Sequence, residues 1–130
     1  MGAEASDGAD PRECIPVFVV SDLEASLAYY REQLGFEEAF RWGEPTFYAG
    51  ICRGAVAMHL TSDPDRAPRI GHGTVALTVA DADAAHRELA RRGARITAPI
   101  DDRPYGLRDF MVEDPDGNRL AFGSAIEGNE

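Results

Sequence analysis

The sequence contains no apolar run near the roughly 20 residues that a membrane-spanning helix needs. It has only two cysteines, Cys14 and Cys52, in neither a CxxC pair nor a zinc-ligand spacing. They read as small hydrophobes rather than as a disulfide or a nucleophile. Basic residues are scarce: 13 Lys and Arg against 23 Asp and Glu give a formal net charge of −10. A surface of that sign repels phosphate backbones and anionic lipid, so neither nucleic acid nor membrane is an expected partner, whereas a cationic ligand is compatible. Residues 1–13 are acidic and Gly/Ala-rich and lack the basic-then-apolar order of a secretory signal, which predicts a flexible tail on a cytoplasmic protein. Nothing in the composition points to general disorder, collagen or a coiled coil.

What is present suits one domain. The chain has 130 residues, 44% of them hydrophobic, enough for one core and too few for two. Residues 15–20 read as a strand with Pro16 near its start, and Ser21-Asp22 supplies a helix N-cap. Leu23, Leu27, Tyr30 and Leu34 follow at helical spacing, and Gly35 ends the helix in the left-handed region. Strands are predicted over 37–42, 46–52 and 55–60, the last two joined at a tight Arg53-Gly54 turn. Residues 61–70, with Pro64 and Pro68, read as a linker.

The pattern then restarts. A strand is expected over 74–79, a helix from an Asp81 cap to Arg92 with Gly93 ending it, and strands over 95–97, 107–113 and 119–123. Asp114-Pro-Asp-Gly-Asn118 has turn chemistry: Pro fixes φ, and Gly and Asn accept positive φ. Val20-Ser-Asp-Leu-Glu-Ala matches Val79-Ala-Asp-Ala-Asp-Ala at an offset of 59, so one β-α-β-β-β unit is used twice. The expected class is α+β, with one domain over 14–126: a module at 14–62, a linker at 63–71 and a second module at 72–126. Two such units bury the apolar helix side of each sheet and leave the other faces to form a concave cup, which is a natural ligand cleft.

In this order and spacing, three motifs resemble the vicinal oxygen chelate superfamily of glyoxalase I, bleomycin-resistance proteins and extradiol dioxygenases. They are Val20-Ser-Asp-Leu-Glu-Ala-Ser-Leu-Ala-Tyr-Tyr-Arg-Glu-Gln-Leu-Gly-Phe36, Tyr105-Gly-Leu-Arg-Asp-Phe110 and Asp114-Pro-Asp-Gly-Asn118. The resemblance runs from about Ile15 to Phe122. It implies the paired βαβββ fold and a homodimer. It also implies, for the metalloenzymes, four ligands inside the cup. Carried onto this chain, those positions are Ile15, His59, Thr74 and Ala121. One imidazole and one neutral hydroxyl do not make a divalent site, and Ile and Ala have no donor at all. No metal and no cofactor are expected.

Strand periodicity assigns the cup side. Val56, Met58 and Leu60 should meet the helices, as should Val75, Leu77, Val79, Leu120 and Phe122. Ala55, Ala57, His59, Thr74, Ala76, Thr78, Arg119, Ala121 and Gly123 then face the cup, and most of these are small. The candidate ligand contacts are Trp42, Phe47, His59, Thr74, Tyr105 and Asp109, with aromatic rings placed to stack on a planar or cationic compound. Tyr29 is expected to touch a neighbouring subunit, His86 to lie on the surface, and Arg108 to pair with Asp109. The leading expectation is a metal-independent protein that sequesters a small aromatic or cationic molecule, as antibiotic-resistance proteins of the resembled family do. The alternatives are a metal-dependent lyase, isomerase or dioxygenase with a displaced site, and a regulatory domain with a filled cup.

Overall fold

A computed structural model describes residues 8–126. The expected tail at 1–13 lies partly outside the described residues, and residues 8–16 carry neither helix nor strand. Next come β1 (Val17–Val19), α1 (Leu23–Glu32), β2 (Glu37–Trp42), β3 (Tyr48–Arg53) and β4 (Val56–Thr61). The second unit comprises β5 (Thr74–Thr78), α2 (Ala82–Arg91), β6 (Arg95–Asp102), β7 (Leu107–Glu113) and β8 (Arg119–Ala125). Each unit makes a four-stranded sheet, ordered β1-β4-β3-β2 and β5-β8-β7-β6, with the first-named pair parallel and the rest antiparallel. This is the α+β, twice-repeated βαβββ architecture that the offset of 59 predicts. No helix among the described residues is long and apolar enough to cross a membrane.

The caps repeat with the same offset. The Asp22 side chain accepts from the Ala25 N–H and the Asp81 side chain from the Ala84 N–H, each satisfying a donor that the first turn of a helix leaves free. Gly35 (φ 76°) and Gly93 (φ 85°) follow the two helices in the left-handed conformation that only glycine adopts at no steric cost.

Both helices lie between the sheets and share one core. Leu23, Leu27, Tyr30 and Leu34 pack with Met58 and Leu60 of the first sheet and with Phe110, Val112, Leu120 and Phe122 of the second. The buried apolar side chains on β4, β7 and β8 (Met58 and Leu60, Phe110 and Val112, Leu120 and Phe122) alternate, as a period of two requires. The turn after β7 joins the units. Asp114 and Asn118 are both buried. The Tyr30 hydroxyl donates to Asp114 Oδ2 (3.0 Å), and Asn118 Nδ2 donates to the same oxygen (2.9 Å) and to the Val19 carbonyl (3.1 Å). Asn118 Oδ1 accepts from the Gly73 N–H, and Asp116 takes both the backbone N–H and the hydroxyl of Ser21.

Several local expectations are corrected. The predicted linker contains a 3-10 helix, Pro64–Arg69, capped by Asp63. β6 continues to Asp102, with shifts of register on both sides of Ala98. Tyr29 makes bonds within the chain that the sequence did not show: its hydroxyl donates to the Glu113 carbonyl (2.8 Å) and accepts from the Arg95 N–H (2.9 Å). His86 is half-buried and meets the Phe110 ring edge-on at 5.0 Å. Arg108 pairs with Asp83 and Asp102 rather than Asp109, because adjacent residues of a strand point to opposite faces.

Candidate functional site

With the helices between the sheets, the face of each sheet that turns away from the core is the one open to a ligand. Two cross-strand rows show how differently these faces are furnished. On the first sheet the register places Phe40, Gly50, His59 and Val17 side by side. The matching row of the second sheet is Ala98, Met111, Ala121 and Ala76.

The first row is an aromatic platform. The Phe40 ring lies over Gly50, where a Cβ would overlap its edge, so a glycine is needed for the ring to lie down on the sheet. Phe40 stacks near-parallel with Tyr48 (6.4 Å, 18°) and meets the His59 ring edge-on (5.2 Å, 85°). The Tyr48 hydroxyl and His59 Nδ1 form a 2.8 Å hydrogen bond, and no hydrogen bond among the described residues engages the other ring nitrogen of His59. Trp42, 65% exposed, shares this face through its pairing with Tyr48, and the Phe47 ring packs edge-on against it at 5.4 Å.

The second row floors a recess of about 260 Å³ bounded by Ala98, Arg103, Tyr105, Asp109, Met111 and Ala121. Arg103 Nε donates to Asp109 Oδ1 (2.7 Å) and the Tyr105 hydroxyl donates to Asp109 Oδ2 (2.7 Å), so both carboxylate oxygens are engaged. The bond to Asp109 raises the Tyr105 hydroxyl above its ordinary pKa and keeps it protonated as a donor. Gly123, opposite Asp109, leaves room for this cluster.

The structure therefore sorts the six candidate contacts into two groups. Trp42, Phe47 and His59 belong to the first sheet, and Tyr105 and Asp109 to the recess of the second. Thr74 is exposed on the edge strand β5, paired with Arg119. No hydrogen bond, ion pair or ring contact among the described residues joins the two groups, since the shared core lies between them. Sequence reasoning missed Phe40, although its i, i+2 relation to Trp42 was a usable signal. It also missed Arg103, for which the sequence offered none.

At the positions corresponding to a metal centre, Ile15, His59, Thr74 and Ala121 supply one imidazole and one hydroxyl. No group of three or more His, Cys, Asp or Glu among the described residues is placed to hold a metal ion. This donor set does not fit a divalent cation.

No curated protein matches this chain. The bleomycin-binding protein of bleomycin-producing Streptomyces verticillus, solved with copper(II)-bleomycin, is 28% identical with a TM-score of 0.74, covering 92% of this chain and 99% of its own. A glyoxalase/bleomycin resistance protein from Catenulispora acidiphila is also 28% identical (TM-score 0.72; 89% and 100% covered). An antibiotic binding protein from a Streptomyces species has the same fold at 24% identity (TM-score 0.72; 90% and 99% covered). A family model spans residues 16–122, from the strand that begins the first module to the strand that carries Ala121. With the first βαβββ unit and the second as far as Phe122 of β8 inside that span, the chain belongs to the Glyoxalase/Bleomycin resistance protein/Dioxygenase superfamily.

Proposed function

We propose that this protein binds and sequesters a small planar aromatic or cationic compound without a metal, as a homodimer in the cytoplasm, and that this binding can confer resistance to an antibiotic. The observation that carries the reading is the unlike furnishing of two equivalent rows. The Phe40 ring supplies a flat face for stacking and the His59 imidazole, edge-on to it, a polar group, while Ala98, Met111 and Ala121 supply open volume and a polarizable, adaptable wall. A ligand site needs both, and one chain holds them on opposite sides of its core. A second copy brings the recess of one protomer over the platform of the other, and two-fold symmetry makes two such sites. The bleomycin-binding relative supports this choice of ligand class.

Cationic ligands suit the net charge of −10. Asp109 acts here less as a free counter-charge than as the anchor that fixes Arg103 and Tyr105 at the recess. Isothermal titration with copper-bleomycin, metal-free bleomycin and simple planar cations such as ethidium tests the reading. Saturable binding of at least one, at one site per protomer, is expected. Absence of binding to all of them, together with turnover of a metal-chelating substrate, would overturn it.

A further inference from the structure

The repeat that builds the two modules fails in one place, and the failure leaves a cavity. With the offset of 59, Phe18, Ser26, Tyr29 and Tyr30 correspond to Leu77, Ala85, Glu88 and Leu89. On the first module this surface is covered by the β7–β8 turn, which has five residues between the paired Glu113 and Arg119. Those residues carry the buried Asp114 and Asn118, and the tyrosines reach up to meet the turn. On the second module the corresponding turn joins β3 to β4 and has only Gly54 and Ala55 between the paired Arg53 and Val56. It brings no side chain long enough to plug the gap, and the residues beneath it are mostly smaller than their counterparts. The result is a cleft of about 270 Å³ walled by Phe36, Val56, Leu77, Val79, Leu89 and Phe122.

The mouth of the cleft is charged. Arg53 donates to the Leu34 carbonyl and to Glu88 Oε1, both at 2.7 Å, and Arg92 holds Glu88 Oε2 at 2.9 Å. Two guanidinium groups thus face one carboxylate, an excess of positive charge in a chain of net charge −10. Both arginine side chains remain more than one-third exposed, 36% for Arg53 and 37% for Arg92.

We propose that this cleft is a second small-molecule site, separate from the outer faces of the sheets, and that it takes a compact apolar monocarboxylate. The apolar body lies against Leu77, Leu89 and Phe122, and the carboxylate meets Arg53 at the mouth. Size limits the ligand: a cavity of about 150 Å³ takes benzene, and drug-sized ligands occupy about 300 Å³ or more. A medium-chain fatty acid or a small aryl-alkanoate lies between these bounds.

Octanoate is the probe, followed through the backbone amide resonances of the full chain. Saturable shifts at Gly54, Thr78 and Ala85 are expected, with octylamine binding about tenfold more weakly because it cannot use the arginines. Ala85→Leu fills the cleft from the half-buried face of α2 that lines it and should abolish the shifts. Arg53→Gln should weaken octanoate and leave octanol unaffected. Because Arg53 also caps the end of α1, its variant is read only where its thermal melt matches the parent, and Ala85→Leu decides the matter by itself. No saturation, equal binding of amine and acid, or shifts confined to Gly50 and His59 would overturn the proposal. That last outcome would leave the outer-face reading intact.

Discussion

The hydroxyl of Tyr48 and Nδ1 of His59 lie 2.8 Å apart, beside a Phe40 ring that rests on Gly50. Four residues from three adjacent strands thereby make one fixed aromatic surface, with two near-parallel rings and the imidazole edge-on to both, in which the hydrogen bond fixes the orientation of the imidazole and the glycine fixes that of the phenyl ring. The platform is built before any ligand arrives, which lowers the ordering cost of binding.

Gly50→Ala should therefore damage binding more than folding. The new methyl group pushes Phe40 off the sheet, and the loss of one stacked ring, about 0.5–1.5 kcal/mol, corresponds to an affinity loss of up to about tenfold. Calorimetry against the best ligand, paired with a thermal melt, separates the two effects. Unchanged affinity would remove Phe40 from the site.

A site shared by two protomers makes a prediction that a site within one chain does not. His59→Ala damages the platform and Ala121→Phe fills the recess, and each alone should abolish most binding. When the two variants are refolded together, heterodimers regain one intact site, so about a quarter of all sites should recover. Absence of recovery, where native mass spectrometry shows heterodimers present, would overturn a site shared between protomers.

Tyr30 gives a stability prediction with a defined sign. Burial, and then the adjacent Asp114 carboxylate, hold its hydroxyl well above the ordinary tyrosine pKa of about 10. In alkali the unfolded chain loses this proton first, so the folded state binds more protons and stability falls as pH rises above about 10. Below that pH the contribution is fully present. Tyr30→Phe should flatten the alkaline slope and cost about 1–3 kcal/mol near neutrality, since a buried oxygen of Asp114 loses a donor. Urea denaturation at pH 7 and pH 10.5 measures both. An unaltered slope would assign the alkaline loss to other groups.

Ile15 and Ala121 offer a metal no electron pair. Zinc, nickel or manganese at about tenfold excess should leave the melting temperature unchanged, because a ligand bound only by the native state would raise it. A stoichiometric rise in melting temperature that disappears in His59→Ala would show a metal centre built on other donors.

The sequence made the architecture legible because its signals are local and repeated. Asp22 and Asp81 cap helices 59 residues apart, and the alternation at Met58 and Leu60 and at Leu120 and Phe122 identifies the buried faces. The contacts were less legible wherever they depend on elements meeting from a distance. Nothing near Tyr29 shows that its hydroxyl reaches Glu113, and nothing near Arg108 names Asp83. The Arg108–Asp109 expectation failed on strand parity, which was available in the sequence. β6 runs on through Pro99 because shifts in its pairing with β7 accommodate the proline, a feature that periodicity cannot anticipate. For the candidate site, periodicity gave the right face for His59 but could not tell that Tyr105 and Asp109 sit across the core from it. That separation is set by how the modules pack, and no short-range pattern encodes it.

The bonds from Asn118 to Val19 and from Asp116 to Ser21 span more than ninety residues and bypass the 3-10 segment at Pro64–Arg69 altogether. That segment is consequently a tether and not a hinge. A nick within it would leave two fragments clasped as a native-like pair, and new termini opened there would find a scaffold already closed around its core.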